Sequence, residues 1–287
     1  DLCGFTEAEV TQLLAQVTAD CGLPAEQTAE ARHLMRTFYN GALFSHEGGE
    51  CIYNPTSTFH FLKYLQRTCR YPRNMLDTNL GTDHQKLAYI AGLPKGEEVI
   101  LQIMDTEHPP AVIALEERFG VHEMLAESNT EPFMLSLLYY LGVLTLDGGL
   151  TTEGELILRI PNLVMQQLYA ERLLRMLLPD ATQRDLGQAA AKALYGRGQI
   201  QPLCDFIEQY IFPVFDNRDY IHVNELTIKT TFLTLLFNDT FYVMDSENAL
   251  KRTYADLTMI LRPEMRRYQL LDLLLEFKFV KLNKIEL

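Results

Sequence analysis

Apolar residues recur every three to four positions through the first third of the chain, and most such runs are bounded by residues that start or stop helices. Thr6-Glu7-Ala8-Glu9 has the spacing of a capping box, in which the Thr6 hydroxyl accepts an early backbone N–H and Glu9 reaches back. Val10, Leu13, Leu14 and Val17 follow on one face, and Cys21-Gly22 with Pro24 ends the helix. A second helix is expected over 25–38. Phe38-Tyr39-Asn40-Gly41 then turns, and Tyr53-Asn54-Pro55-Thr56-Ser57 starts a third helix with Phe59, Leu62 and Leu65 inward; a fourth is expected over 83–91. Asn and Gly tolerate the left-handed region and Asn54 can cap the helix behind Pro55, so turn and cap chemistry is the plainest account of both aromatic motifs, with a ligand-gripping role as the alternative.

Residues 92–130 read as mixed, with short strands over 99–104 and 111–115. A helix over 133–141 ends at Gly142. Two strand-like runs, 143–146 and 156–160, are joined through Asp147-Gly148-Gly149, a hairpin signal. Pro161-Asn162 opens a long helix over 163–178, and helices over 181–195 and 201–212 are separated by Gly196-Arg197-Gly198. The pattern changes near Asp216-Asn217: an amphipathic helix over 219–237 precedes β-rich runs at 240–244, 256–261 and 270–280. The last run, Leu270 to Val280, is apolar on both faces, the pattern of a strand in the middle of a sheet. The expected fold is therefore mainly α with α+β parts: a helical domain over 1–130, a winged-helix-like unit plus helices over 131–215, and an α/β domain over 216–287.

The 287 residues leave room for two domains or three small ones. Hydrophobic residues at 47% and charged residues at 22% match a folded globular chain. No apolar run approaches the roughly 18–20 residues that span a bilayer, so membrane insertion is not expected. Asp1-Leu2-Cys3-Gly4 carries no secretory signal, and its abrupt start just before a helix cap reads as a cut from a longer protein. Five scattered cysteines without a Cys-x-x-Cys, and seven scattered histidines, lead us to expect neither a zinc site nor a disulfide framework; a cytoplasmic or other reducing compartment is the default, with delivery into a host cell left open. No window fits a phosphate-binding Gly-rich loop, so no nucleotide site is expected.

Net charge is −13, unevenly spread: residues 1–216 hold 15 Lys and Arg against 28 Asp and Glu, whereas residues 217–287 hold 10 of each. Nucleic-acid affinity comes largely from basic surface, which disfavours the first three quarters of the chain. A local basic groove around Lys251, Arg252, Arg262, Arg266 and Arg267 is one reading of the tail; an ordinary solvated loop is the other. A DNA-reading winged helix over 131–178 has Arg172 and Arg175 on its second helix but no basic stripe.

The chemistry-bearing constellation lies in this tail. Glu276 and Lys278 are two apart in an apolar run, so on a strand they share a face, and burying either alone is costly. Asp256 opens the preceding strand-like run, and Glu225 lies on the helix before both. Two carboxylates with a backbone carbonyl, and Glu225 to complete the shell or bind a second ion, suit Mg²⁺ (or Mn²⁺), which takes hard oxygen donors, lowers the pKa of a bound water and polarises a phosphodiester. Lys278 would orient the attacking hydroxide or offset transition-state charge. The plain alternative is a Glu276–Lys278 pair at a sheet edge, satisfied by solvent or by each other.

Helix with Glu, strand with Asp, strand with Glu-x-Lys resembles the arrangement of PD-(D/E)XK nucleases. Gly4-Phe5-Thr6-Glu7-Ala8-Glu9-Val10, Phe38-Tyr39-Asn40-Gly41, Tyr53-Asn54-Pro55-Thr56-Ser57, the segment Leu137 to Leu146 and Ile160-Pro161-Asn162 are similar, in that order, to segments of an AAA-ATPase-like family that ends in such a nuclease-like domain. The resemblance implies a restriction-endonuclease-like fold over 216–287, incomplete at its end, with Glu225, Asp256, Glu276 and Lys278 as catalytic residues, the three acids as metal ligands, and a nucleic-acid substrate. It also implies an ATPase-like core upstream of this chain. Tyr254-Ala255-Asp256 departs from the family's Gly-Arg-x-Asp approach, and Ala42 and Leu43 stand where Tyr and Arg are common. The competing expectation is a non-catalytic interaction module, of the kind a bacterial effector uses: an acidic body that binds protein, on a decayed nuclease scaffold.

Overall fold

The protein is described by a computed structural model covering residues 4–45, 47, 49–76, 81–105, 108–120, 130–216, 225–245, 248–250 and 253–278, with the backbone alone at 81–83, 216, 225–226, 245, 248–250 and 253–255. It is a mixed α/β chain whose residues cluster into two compact units, Asp1–Arg172 and Leu173–Leu287.

In the first unit, α1 (Glu7–Asp20), α2 (Ala25–Tyr39) and α3 (Pro55–Thr68) pack together through Val10 and Leu14, Leu34 and Phe38, and Phe61 and Leu65, all buried. Burying each such side chain contributes about 1.5–3 kcal/mol. The caps are those the sequence announces: Thr6 Oγ1 accepts from Glu9 N, Glu9 Oε2 accepts from Thr6 N at 2.8 Å, and Asn54 Oδ1 accepts from Ser57 N. The Thr6 hydrogen bonds hold the Glu9 carboxyl below its usual range, so their contribution is present above the unfolded-state value and fades as pH falls through the lowered one. Thr6→Ala is expected to lower stability by about 1 kcal/mol, read as a shift in the urea midpoint at unchanged slope.

Cys21 and Cys69, 48 residues apart, are the C-caps of α1 and α3, and the packing of these helices brings their Cα atoms to 5.4 Å in a disulfide. The expectation was of no disulfide framework, and a single pairing was not foreseen. The bond is a single crosslink between packed helices, a proximity that spacing along the chain does not encode.

α4 (Gly81–Ala91) is followed by α5 (Gly96–Ile103), where a strand over 99–104 was expected. Glu97 and Glu98 sit in the first turn, where the helix dipole favours acids, and Val99, Ile100 and Ile103 form one buried face. β1 is only Ala111–Val112; Ile113 beyond it is exposed. Then come α6 (Glu131–Tyr140), β2 (Thr145–Leu150), β3 (Leu156–Arg159) and α7 (Leu163–Leu177), which crosses the boundary between the units. The helix–hairpin–helix order is thus present, and β1 adds to it a third strand in the antiparallel order β1-β3-β2. The Asp-Gly-Gly signal, however, is not the turn. β2 runs through it with an irregular register between Leu146 and Leu150, and Gly148 at φ +86 supplies the backbone freedom a bulge needs. The turn lies at residues 151–155, closed by Thr151 N donating to Glu155 O and Gly154 N to Thr151 O.

Three of the motif segments, 38–41, 137–146 and 160–162, come together in this unit. Gly41 has φ +130, and a Cβ placed on it would lie 1.8 Å from the Pro161 carbonyl oxygen. Arg159 Nη2 donates to Gly41 O at 3.4 Å, Leu43 N donates to Thr145 Oγ1 at 2.7 Å, and Thr145 Oγ1 donates back to Leu43 O. Asn162 Oδ1 accepts from Met165 N and starts α7. Tyr39 buries its ring and donates to Met75 O. Turn, cap and close backbone approach account for these residues.

The second unit holds α8 (Ala181–Arg197), α9 (Gln201–Phe206) continued through a π-helical turn at Ile207–Ile211 into α10 (Phe212–Asp216), and α11 (Glu225–Leu236). α11 packs against α8. Residues 229–236 of α11 are all buried, so it is enclosed rather than amphipathic, and residues 219–224 of the expected helix lie outside the described set. β4 (Tyr242–Asp245), β7 (Leu257–Leu261) and β8 (Leu273–Leu275) form an antiparallel sheet in the order β4-β7-β8; β5 (Asn248–Leu250) and β6 (Thr253–Ala255) pair separately.

Candidate site at the end of the β7–β8 ladder

The pairing register decides where the predicted acids go. β7 and β8 pair as Leu257↔Leu275, Thr258↔Leu274 and Met259↔Leu273. Asp256 is the residue just before β7 and Glu276 the residue just after β8, so the two carboxylates flank the same end of one ladder. Facing positions on neighbouring antiparallel strands share a side of the sheet.

Asp256 is held from two directions. Its Oδ2 accepts the Phe277 backbone N–H at 2.6 Å, and its Oδ1 lies 3.8 Å from Lys229 Nζ. Lys229 comes from α11, and its side chain is 8% exposed. The Phe232 ring, one turn further along, packs on Phe277 with centroids 4.8 Å apart, which ties the helix to the strand end. Glu276 Oε1 lies 3.1 Å from Lys278 Nζ, and both side chains stand largely in solvent. Such a pair contributes about 0–1 kcal/mol. Thr258 Oγ1, two residues from Asp256 along β7, is buried and finds no hydrogen-bond partner among the described residues.

Glu225 is the first residue of α11; its side chain lies outside the described set. Asp256, Glu276 and Lys278 gather at one end of the ladder, and Lys229, which the sequence reading missed, joins them. Its signal is a lone lysine in the run Thr227-Ile228-Lys229-Thr230-Thr231-Phe232, on a helix that after Glu225 is otherwise built of apolar residues and threonine.

The expectation of a central strand over 270–280 is corrected. β8 has three residues, is an edge strand among the described residues, and exposes Leu274, with Leu271 exposed before it. Glu276 and Lys278 follow the ladder rather than sitting within a buried strand. The basic groove also changes: Arg262 is fully buried, donates to Asp239 O and Thr240 O, and pairs with Glu264. Arg266 lies 3.4 Å from Asp272, and Arg267 lies over the Tyr268 ring. The side chains of Lys251 and Arg252 lie outside the described residues.

Asp256 and Glu276 offer only oxygen donors, the type Mg²⁺ or Mn²⁺ takes, usually through one or two carboxylates with water filling the remaining positions. Among the described residues there is no group of three or more His, Cys, Asp or Glu able to hold a metal ion, so any ion here would rest on these two, with Glu225 outside the described side chains. Also among the described residues, no helix is long and apolar enough to cross a membrane. Comparison of the chain with protein-family models, with curated proteins and with solved structures gives no match.

Proposed function

We propose that residues 216–287 carry a PD-(D/E)XK-like site for metal-dependent hydrolysis of nucleic-acid phosphodiesters. The observation that carries the reading is that Asp256 and Glu276 flank the same end of the β7–β8 ladder, with Lys229 near one carboxylate and Lys278 near the other. The order of helix α11 followed by the antiparallel strands β4, β7 and β8 supports the reading, because it resembles the helix-strand-strand order of the PD-(D/E)XK arrangement. Asp256 and Glu276 would hold Mg²⁺ or Mn²⁺, with Glu225 placed on α11 to add a carboxylate. A bound ion supplies a water of lowered pKa and a Lewis acid for the phosphodiester oxygen. Lys278, largely exposed beside Glu276, would supply an ammonium for negative charge on the substrate.

The test is cleavage of plasmid and single-stranded substrates in Mg²⁺ or Mn²⁺. Asp256→Ala with Glu276→Ala is expected to lower the rate at least a hundredfold; the same residual rate in both proteins would defeat the reading.

A second reading is favoured by a specific observation: every described carboxylate at this end already has a partner, Asp256 in Lys229 and the Phe277 amide, Glu276 in Lys278. On that reading the site is a settled ion-pair cluster, and the acidic body over 1–216, with its winged-helix-like hairpin unit, binds a protein, as an effector would. Its mark is retention of a protein partner by the full chain with equal strength in wild type and double mutant.

A further inference from the structure

Lys229 does not belong to the expected constellation, yet it is the most buried charge at this end of the ladder. A buried ammonium is costly unless paired, and Asp256 Oδ1 at 3.8 Å is a counter-ion for it. The lysine is also held in place: it lies on a helix turn whose next turn, through Phe232, is clamped on Phe277, whose own amide holds the other oxygen of Asp256. A cation approaching Asp256 therefore meets a fixed positive charge within a few ångströms of its ligand, in surroundings that screen poorly. Lys278, by contrast, is 76% exposed, where solvent screens its charge.

We infer that Lys229 is a positioning residue that competes with the divalent ion for Asp256: it holds the carboxylate in place when no ion is bound and weakens ion affinity when one binds. This rests on the proposed site, since it takes Asp256 as a metal ligand. The site's affinity is then set by α11 as well as by the acids.

The experiment titrates the metal-free full chain with Mn²⁺, following free Mn²⁺ by electron paramagnetic resonance and heat by calorimetry, with melting curves to confirm folding. Lys229→Met is expected to bind Mn²⁺ at least tenfold more tightly than wild type, about 1.4 kcal/mol. Lys229→Gln, the same charge removed from a polar side chain, should behave alike, and Lys229→Arg should stay near wild type. In the unaltered protein, Mg²⁺ should shift the Lys229 ¹⁵Nζ resonance. Equal or weaker Mn²⁺ binding by Lys229→Met and Lys229→Gln overturns the inference. If Asp256→Asn loses affinity while the Lys229 variants do not gain it, only the role of Lys229 fails. If neither wild type nor the Lys229 variants bind Mn²⁺, the site itself fails, and the inference with it.

Discussion

Replacing Gly41 by alanine is expected to destabilise the first unit by about 3 kcal/mol or more. A left-handed backbone with a Cβ costs about 1–2 kcal/mol, and forcing an extra carbon into a packed site about 1–3 kcal/mol. Both apply at Gly41: its φ is +130, and the nearest neighbour of the added carbon is the Pro161 backbone oxygen at 1.8 Å, which cannot rotate away. Gly148→Ala is the control. It shares a positive φ, +86, but its nearest neighbour is the flexible end of Leu43 at 3.2 Å, so only the backbone cost should appear. Urea unfolding of both variants measures the difference. Equal losses would mean that the loop at residues 40–43 moves freely off Pro161.

The second large effect is expected at Arg262. Its side chain is fully enclosed, with the Asp239 and Thr240 carbonyls and the Glu264 carboxylate as partners. Removing one member of a buried ion pair leaves the other uncompensated, at a cost of about 3–5 kcal/mol. Arg262→Ala should therefore lower the midpoint of the second unit sharply. Adding Glu264→Gln should restore part of the loss, because the orphaned charge goes with it. Failure of the second substitution to recover anything would place the effect in the lost carbonyl bonds and the cavity.

Local chemistry made much of the fold legible. The Thr6 and Asn54 caps, the Asn162 start of α7, and the helix–hairpin–helix order all follow from residues a few positions apart, and the structure has each of them. What depended on tertiary context was not legible. Leu270 to Leu275 is apolar on both faces, which reads as central, yet among the described residues β8 has a strand neighbour on one side only. Val99 to Ile103 reads as a strand by its β-branched residues, until the buried face at i, i+1 and i+4 is paired with the acids before it. The Cys21–Cys69 bond needed two helix ends to meet in space. In the candidate site, the order of Asp256, Glu276 and Lys278 was readable because it is sequential. Lys229 was not, because only the packing of α11 brings it to Asp256.

The ladder between β7 and β8 also sets what can change in this part of the chain. Residues 262–272, which link the two strands, can lengthen at small entropic cost, since loop closure grows slowly with size. An insertion inside the paired stretch is a different matter. Side chains alternate across a strand, so slipping β8 by one position against Leu257 would send Glu276 to the opposite side of the sheet from Asp256. Descendants of this sequence can therefore tolerate added length at the exposed residues 266–269, but neither loss of the buried Arg262 nor a frame slip within three consecutive pairings.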